Sequence, residues 1–112
     1  MDLREAETLV EELRRLMDGG PGENPAGLQR VSEICWTLHD SERCNPNLAD
    51  RLAQARRMFE LWFSLRAWQQ WGADGTGARA LLGDDLRHLD LAVAACFGED
   101  PGQNVPGLDA RL

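Results

Sequence analysis

Clusters of turn-forming residues divide this sequence into four segments, and the apolar residues of each segment recur at the three-and-four spacing of one helical face. No stretch shows the alternation of apolar and polar residues that indicates a β-strand. The 112 residues are enough for one hydrophobic core and too few for two. We therefore predict an all-α fold, a compact antiparallel bundle of about four helices over residues 1–98, followed by a short irregular C-terminal tail over residues 99–112.

The first helix is predicted over residues 3–17. Asp2 is followed three residues later by Glu5, which is typical of a capping box. In that motif each side chain accepts a hydrogen bond from the backbone N–H of the other residue. Gly19 and Gly20 then end the segment, as glycine commonly does after a helix.

The second and third helices carry the same start signal. Asn24 precedes Pro25, and Asn45 precedes Pro46. Asparagine is a favoured N-cap, and proline is favoured at the first helical position. The apolar pattern that begins at Pro46 predicts a long third helix that reaches about Trp71.

The fourth helical segment follows a glycine-rich turn and ends before Gly98. The Gly83–Asp84 pair is expected to divide it, because Asp84 is a plausible N-cap. The prediction is therefore a short helix or turn over residues 76–82 and a main helix over residues 85–97.

The charge balance excludes several classes of partner. Nineteen acidic residues against twelve arginines, with no lysine, give a formal net charge of −7 at pH 7. A chain without a basic face is not expected to bind nucleic acid or an anionic membrane. The sequence has no secretory signal and no apolar run near the ~20 residues of a membrane span, which predicts a cytoplasmic protein. The absence of lysine fits a coding sequence rich in G and C, and hence a bacterial source.

Two tryptophans form the main candidate for a partner-binding surface. If the third helix continues to residue 71, Trp68 and Trp71 lie one turn apart on its polar side, which also carries Arg57 and Glu60. Tryptophan buries a large area at little entropic cost and is enriched at binding hot spots. The alternative is that neighbouring elements cover both indoles within the bundle.

Arg66 is a second anomaly, because the same helical numbering places it in the middle of the apolar arc. A charge there needs a partner, and Asp85, on the edge of the apolar stripe of the fourth helix, is the expected one, with Asp84 and Glu42 as alternatives. The pair then forms a buried ion pair. Alternatively, Arg66 binds an anion or small molecule in a pocket beside Trp62.

The cysteines and histidines suggest one metal-site hypothesis. Cys35 and His39 are one helical turn apart, and Cys44 follows in the next loop. With His88 or Cys96 these residues offer ligand types suited to zinc, or a redox-sensing site. The spacing matches no common zinc motif, and the three cysteines contain no C-x-x-C pair, so no cofactor is expected.

No constellation of catalytic residues is readable in the chain. Asp85 and His88 resemble one half of a di-iron motif, but the second half is absent. Cys96 is two turns from His88, about 12 Å along a helix, which is too far for a base to activate a thiol. The sequence therefore favours a small non-enzymatic module of the adaptor, chaperone, immunity or inhibitor type that binds another protein or a second copy of itself.

Overall fold

The computed structural model describes residues 1–64 and 76–98, which form four α-helices. No strand occurs in these two ranges. We number the helices in chain order as α1 (Leu3–Asp18), α2 (Pro25–His39), α3 (Pro46–Trp62) and α4 (Thr76–Phe97). The all-α prediction is confirmed. The predicted tail, residues 99–112, lies outside the described residues.

The predicted helix starts are confirmed by their capping hydrogen bonds. The Asp2 carboxylate accepts the N–H of Glu5 at 2.9 Å, and the Glu5 carboxylate accepts the N–H of Asp2 at 2.9 Å. Asn24 and Asn45 cap α2 and α3 by accepting a backbone N–H three residues further on, at 3.0 and 2.8 Å. These side chains satisfy backbone donors that have no partner within the helix.

The prediction that the third helix continues to Trp71 is wrong, because α3 ends at Trp62. The C-cap residue Phe63 leaves the helical conformation with φ −95° and ψ 25°. The backbone carbonyl of Trp62 accepts the N–H of Gly22, in the loop between α1 and α2, at 2.9 Å. A contact that is distant in sequence therefore occupies a carbonyl that a continuing helix would use.

The predicted division of the last segment is also not found. Helix α4 runs without interruption through Gly83 and is 22 residues long. Asp84 does not cap a new helix. Its carboxylate instead pairs with Arg87 and lies 3.5 Å from His88. A single glycine weakens a helix by about 1 kcal/mol and does not by itself end one.

The helices pack as a ring in which α1 contacts α2, α2 contacts α3, α3 contacts α4, and α4 contacts α1. The α2–α3 seam and the α1–α4 seam are therefore on opposite sides of the bundle. One hydrophobic core lies inside the ring. Its largest buried side chains are Val10, Leu13, Val31, Ile34, Leu38, Leu48, Leu52, Phe59, Trp62, Leu82, Leu86 and Leu89.

An ion pair ties α1 to α2 and gives the fold a pH dependence. The Arg30 guanidinium donates two hydrogen bonds to the Glu12 carboxylate, at 2.5 and 2.8 Å. The hydrogen bond from Arg30 holds the pKa of Glu12 below its ordinary value of 4.5. A carboxylate whose pKa is lowered on folding stabilises the protein above its unfolded pKa, and this contribution is lost as the pH falls through the folded pKa.

We expect Glu12→Gln to remove part of the acid sensitivity of folding. At pH 7 the variant should lose up to about 1 kcal/mol of unfolding free energy, the upper range for a partly exposed pair. Near pH 3 the difference from wild type should shrink. Urea denaturation at both pH values measures this. Glu7→Gln on the same helix is the control and should keep the wild-type pH dependence; an equal loss at both pH values for Glu12→Gln would contradict the assignment.

Candidate protein-binding groove

An open groove runs along the seam between α2 and α3, with a volume of about 700 Å³. A smaller recess adjoins it and shares three of its residues. We call the combined surface the α2–α3 groove. It is lined by Pro25, Leu28, Gln29, Val31, Ser32, Glu33, Trp36, Arg56 and Glu60.

The positions of the α2 residues follow from helical periodicity. Pro25, Leu28, Ser32 and Trp36 recur at spacings of three and four, so they share one face of α2. That face lies beside the stripe that enters the core. Leu28 is only partly buried and lies between the core and the groove. The groove therefore has an apolar lining at its edge with the core.

Trp36 is the most prominent side chain of the groove. Its side chain is 46% exposed, which is unusual for so large an apolar group. The Arg56 guanidinium lies over the indole, 5.0 Å from its centroid. The His39 ring meets it edge-on at 5.1 Å. A cation–π contact and an aromatic contact thus restrain the exposed indole.

The groove carries charges of both signs. Glu33 is paired with Arg30 at 3.1 Å, on α2 itself. Arg56 and Glu60 are one turn apart on α3, and neither forms an ion pair with another residue in the ranges 1–64 and 76–98. A cation and a carboxylate are therefore left beside the apolar lining.

The predicted partner-binding residues are only partly described. Trp68 and Trp71 lie outside the described residues. Their predicted placement on one face with Arg57 and Glu60 assumed a helix that continues to residue 71, whereas α3 ends at Trp62. Arg57 and Glu60 are both exposed. They face different seams, since Glu60 lines the α2–α3 groove while Arg57 lines a polar groove between α3 and α4.

The predicted Arg66–Asp85 pair is not tested, because Arg66 lies outside the described residues. Its placement in an apolar arc depended on the continuous third helix and does not follow from α3 as observed. Asp85 is half-buried at the α3–α4 groove, beside Arg51 and Arg57, and pairs with no described residue. Trp62, the expected neighbour of an anion pocket, is a core residue that is 1% exposed.

The three proposed metal ligands are not brought together. Cys35 is buried in the core, whereas His39 is exposed and its Nδ1 lies 3.4 Å from Asp40. Over residues 1–64 and 76–98, no group of three or more His, Cys, Asp or Glu side chains is arranged to hold a metal ion. One turn of spacing on α2 did not suffice, because His39 rotates outward toward Trp36 while Cys35 faces the core.

Two of the cysteines, Cys35 and Cys44, also do not have the properties of reactive thiols. Burial raises the pKa of Cys35 to about 11. Burial, with smaller contributions from Cys96 and Asp40, also raises the pKa of Cys44. Because the thiolate is the reactive form, these shifts reduce the nucleophile at neutral pH.

Trp36 was not among the predicted binding residues, although its signal is present in the sequence. Trp36 follows Cys35 and so lies about 100° away from the predicted buried stripe of α2. This is the criterion that selected Trp68 and Trp71. Applied to every tryptophan of the chain, it would have identified the residue at the α2–α3 groove.

Comparisons of this chain with protein-family models, with curated proteins and with solved structures found no match. Within the described ranges, every helix is too short or too polar to cross a membrane.

Proposed function

We propose that this chain is a small non-enzymatic interaction module that binds another protein through the α2–α3 groove. The observation that carries the proposal is the exposed Trp36, held in place beside an apolar groove. Supporting it, the groove combines apolar side chains with charges of both signs, a surface suited to recognition of another polypeptide. A cytoplasmic location and a bacterial source stay predictions from the sequence.

The physical advantage of Trp36 is its order before binding. An immobilised side chain costs about 0.5–1.5 kcal/mol on association, and a ring already fixed by Arg56 and His39 avoids much of that cost. Leu28 adds apolar surface, and Glu60 adds a carboxylate at the rim. An apolar centre with a polar rim is the usual anatomy of a binding site between proteins.

We expect Trp36→Ala to weaken the complex more than about tenfold, the effect of losing a hot-spot tryptophan. The tagged chain is first recovered from its host under gentle conditions, and native mass spectrometry identifies the bound chain. The affinity of that purified chain for wild type and for the variant is then measured by titration calorimetry. Helical content by circular dichroism should not change, because Trp36 is not a core residue.

Leu91→Ala is the matched control. Leu91 is 64% exposed and lies on α4 beside Glu7 and Glu11, on the opposite side of the bundle. This variant should bind with wild-type affinity. Equal affinities for Trp36→Ala and wild type would exclude the groove. Substitution of both Trp68 and Trp71 by Ala tests the predicted tryptophan surface in the same assay.

A further inference from the structure

The two ends of the α2–α3 groove have complementary chemistry. Helices α2 and α3 are antiparallel, since Arg56 contacts Trp36 while a side chain at Gly27 would meet Phe63. One end therefore presents a projecting indole and a cation. Toward the other end lie Leu28 and the carboxylate of Glu60, and the small recess between the two ends is lined by Leu28 and by both charged side chains, Arg56 and Glu60.

A two-fold axis would bring these unlike ends together. In a symmetric dimer, if one residue contacts a second residue of the partner copy, the second contacts the first in return. An axis through the middle of the groove sets Arg56 opposite Glu60 of the second copy, and Trp36 opposite Leu28 of the second copy. Two ion pairs and two apolar contacts then form in one interface.

We propose that the occupant of the groove is a second copy of this chain, joined by reciprocal Arg56–Glu60 ion pairs beside the exposed Trp36. This inference rests on the proposed function, because it names the partner of the same groove. The unpaired charges carry it. A polypeptide with only basic or only acidic side chains would satisfy one of them, whereas a second copy satisfies both.

Charge reversal tests the pairing directly. Sedimentation velocity of the full-length chain over a range of concentrations should show a wild-type dimer. Arg56→Glu places two carboxylates opposite each other, and Glu60→Arg places two cations opposite each other. Because like charges in contact are strongly unfavourable, each variant alone should dimerise at least about tenfold more weakly. An equimolar mixture of the two should form a heterodimer, in which every reversed charge meets its opposite.

Arg57→Glu is the control, since it makes the same change in net charge at the adjacent residue but faces the α3–α4 groove. It should dimerise like wild type. Recovery of a dimer in the mixture also shows that both variants fold.

Three results would overturn the proposal: a wild-type chain that is monomeric at all concentrations, an Arg56→Glu variant that dimerises normally, or a mixture that stays monomeric. A monomeric wild type whose foreign partner is lost in Trp36→Ala would reject the second copy and keep the proposed function. A wild-type chain that forms neither a dimer nor a complex with a foreign protein would reject both the second copy and the proposed function.

Discussion

Trp62→Ala is expected to lower the unfolding free energy by about 3–5 kcal/mol, the usual cost of removing a large aromatic side chain from a core. Trp62 is the last residue of α3 and is 1% exposed. Arg79 of α4 lies 5.3 Å from the centre of its indole. Small domains are stable by only about 5–15 kcal/mol. The variant should therefore melt more than about 10 °C below wild type in a thermal scan followed by circular dichroism.

Trp62→Phe tests the contribution of the indole N–H to stability separately from that of the aromatic ring. The buried indole Nε1 has no hydrogen-bond partner among residues 1–64 and 76–98. An unsatisfied buried donor costs about 1–3 kcal/mol, and phenylalanine removes it while leaving a smaller void than alanine. We expect the two effects to offset each other, so that Trp62→Phe lies within about 1.5 kcal/mol of wild type. A loss as large as that of Trp62→Ala would show that the N–H is satisfied in solution.

The features that the sequence predicted correctly are local ones. The capping box of Asp2 and Glu5 and the Asn–Pro starts at Asn24 and Asn45 involve residues within one helical turn, so their spacing is sufficient to identify them. The buried stripes follow from periodicity for the same reason. They are visible without knowledge of the other helices.

The features that the sequence did not predict depend on contacts between distant residues. The end of α3 is accompanied by the hydrogen bond from Gly22 to the Trp62 carbonyl, and no pattern near residue 62 records that contact. The groove likewise exists only where α2 meets α3. The contact of Arg56 with the Trp36 ring likewise joins residues of two different helices. The metal-site prediction failed for a similar reason, because the spacing of Cys35 and His39 along α2 does not determine that one faces the core and the other faces solvent.

Two glycine substitutions should change stability in opposite directions. Glycine within a helix is normally about 0.5–1 kcal/mol worse than alanine. Gly83, inside α4, has no neighbouring atom within 4 Å of an added Cβ. Gly83→Ala should therefore raise the unfolding free energy by about 0.5–1 kcal/mol.

Gly27→Ala should instead lower it by about 1–2 kcal/mol. A Cβ at Gly27 would lie 2.6 Å from Nδ2 of Asn24 and 3.1 Å from Cε2 of Phe63. The Asn24 side chain is not free to move, because its amide oxygen Oδ1 accepts the Gly27 N–H and so caps α2. Phe63 is buried and stacks on Phe59 at 5.7 Å. Disturbing the cap costs about 1 kcal/mol and overpacking about 1–3 kcal/mol, which together exceed the gain in helix propensity.

The urea midpoints of the two variants provide the measurement, with unchanged slopes as evidence that the denatured state is unaffected. A lower midpoint for Gly27→Ala with a higher one for Gly83→Ala shows that close packing at the start of α2 requires the glycine. If both variants were stabilised, the contact of Phe63 with Gly27 would not restrict that site. The packing of Phe63, the residue that follows α3, against the start of α2 would then not depend on the absence of a side chain at residue 27.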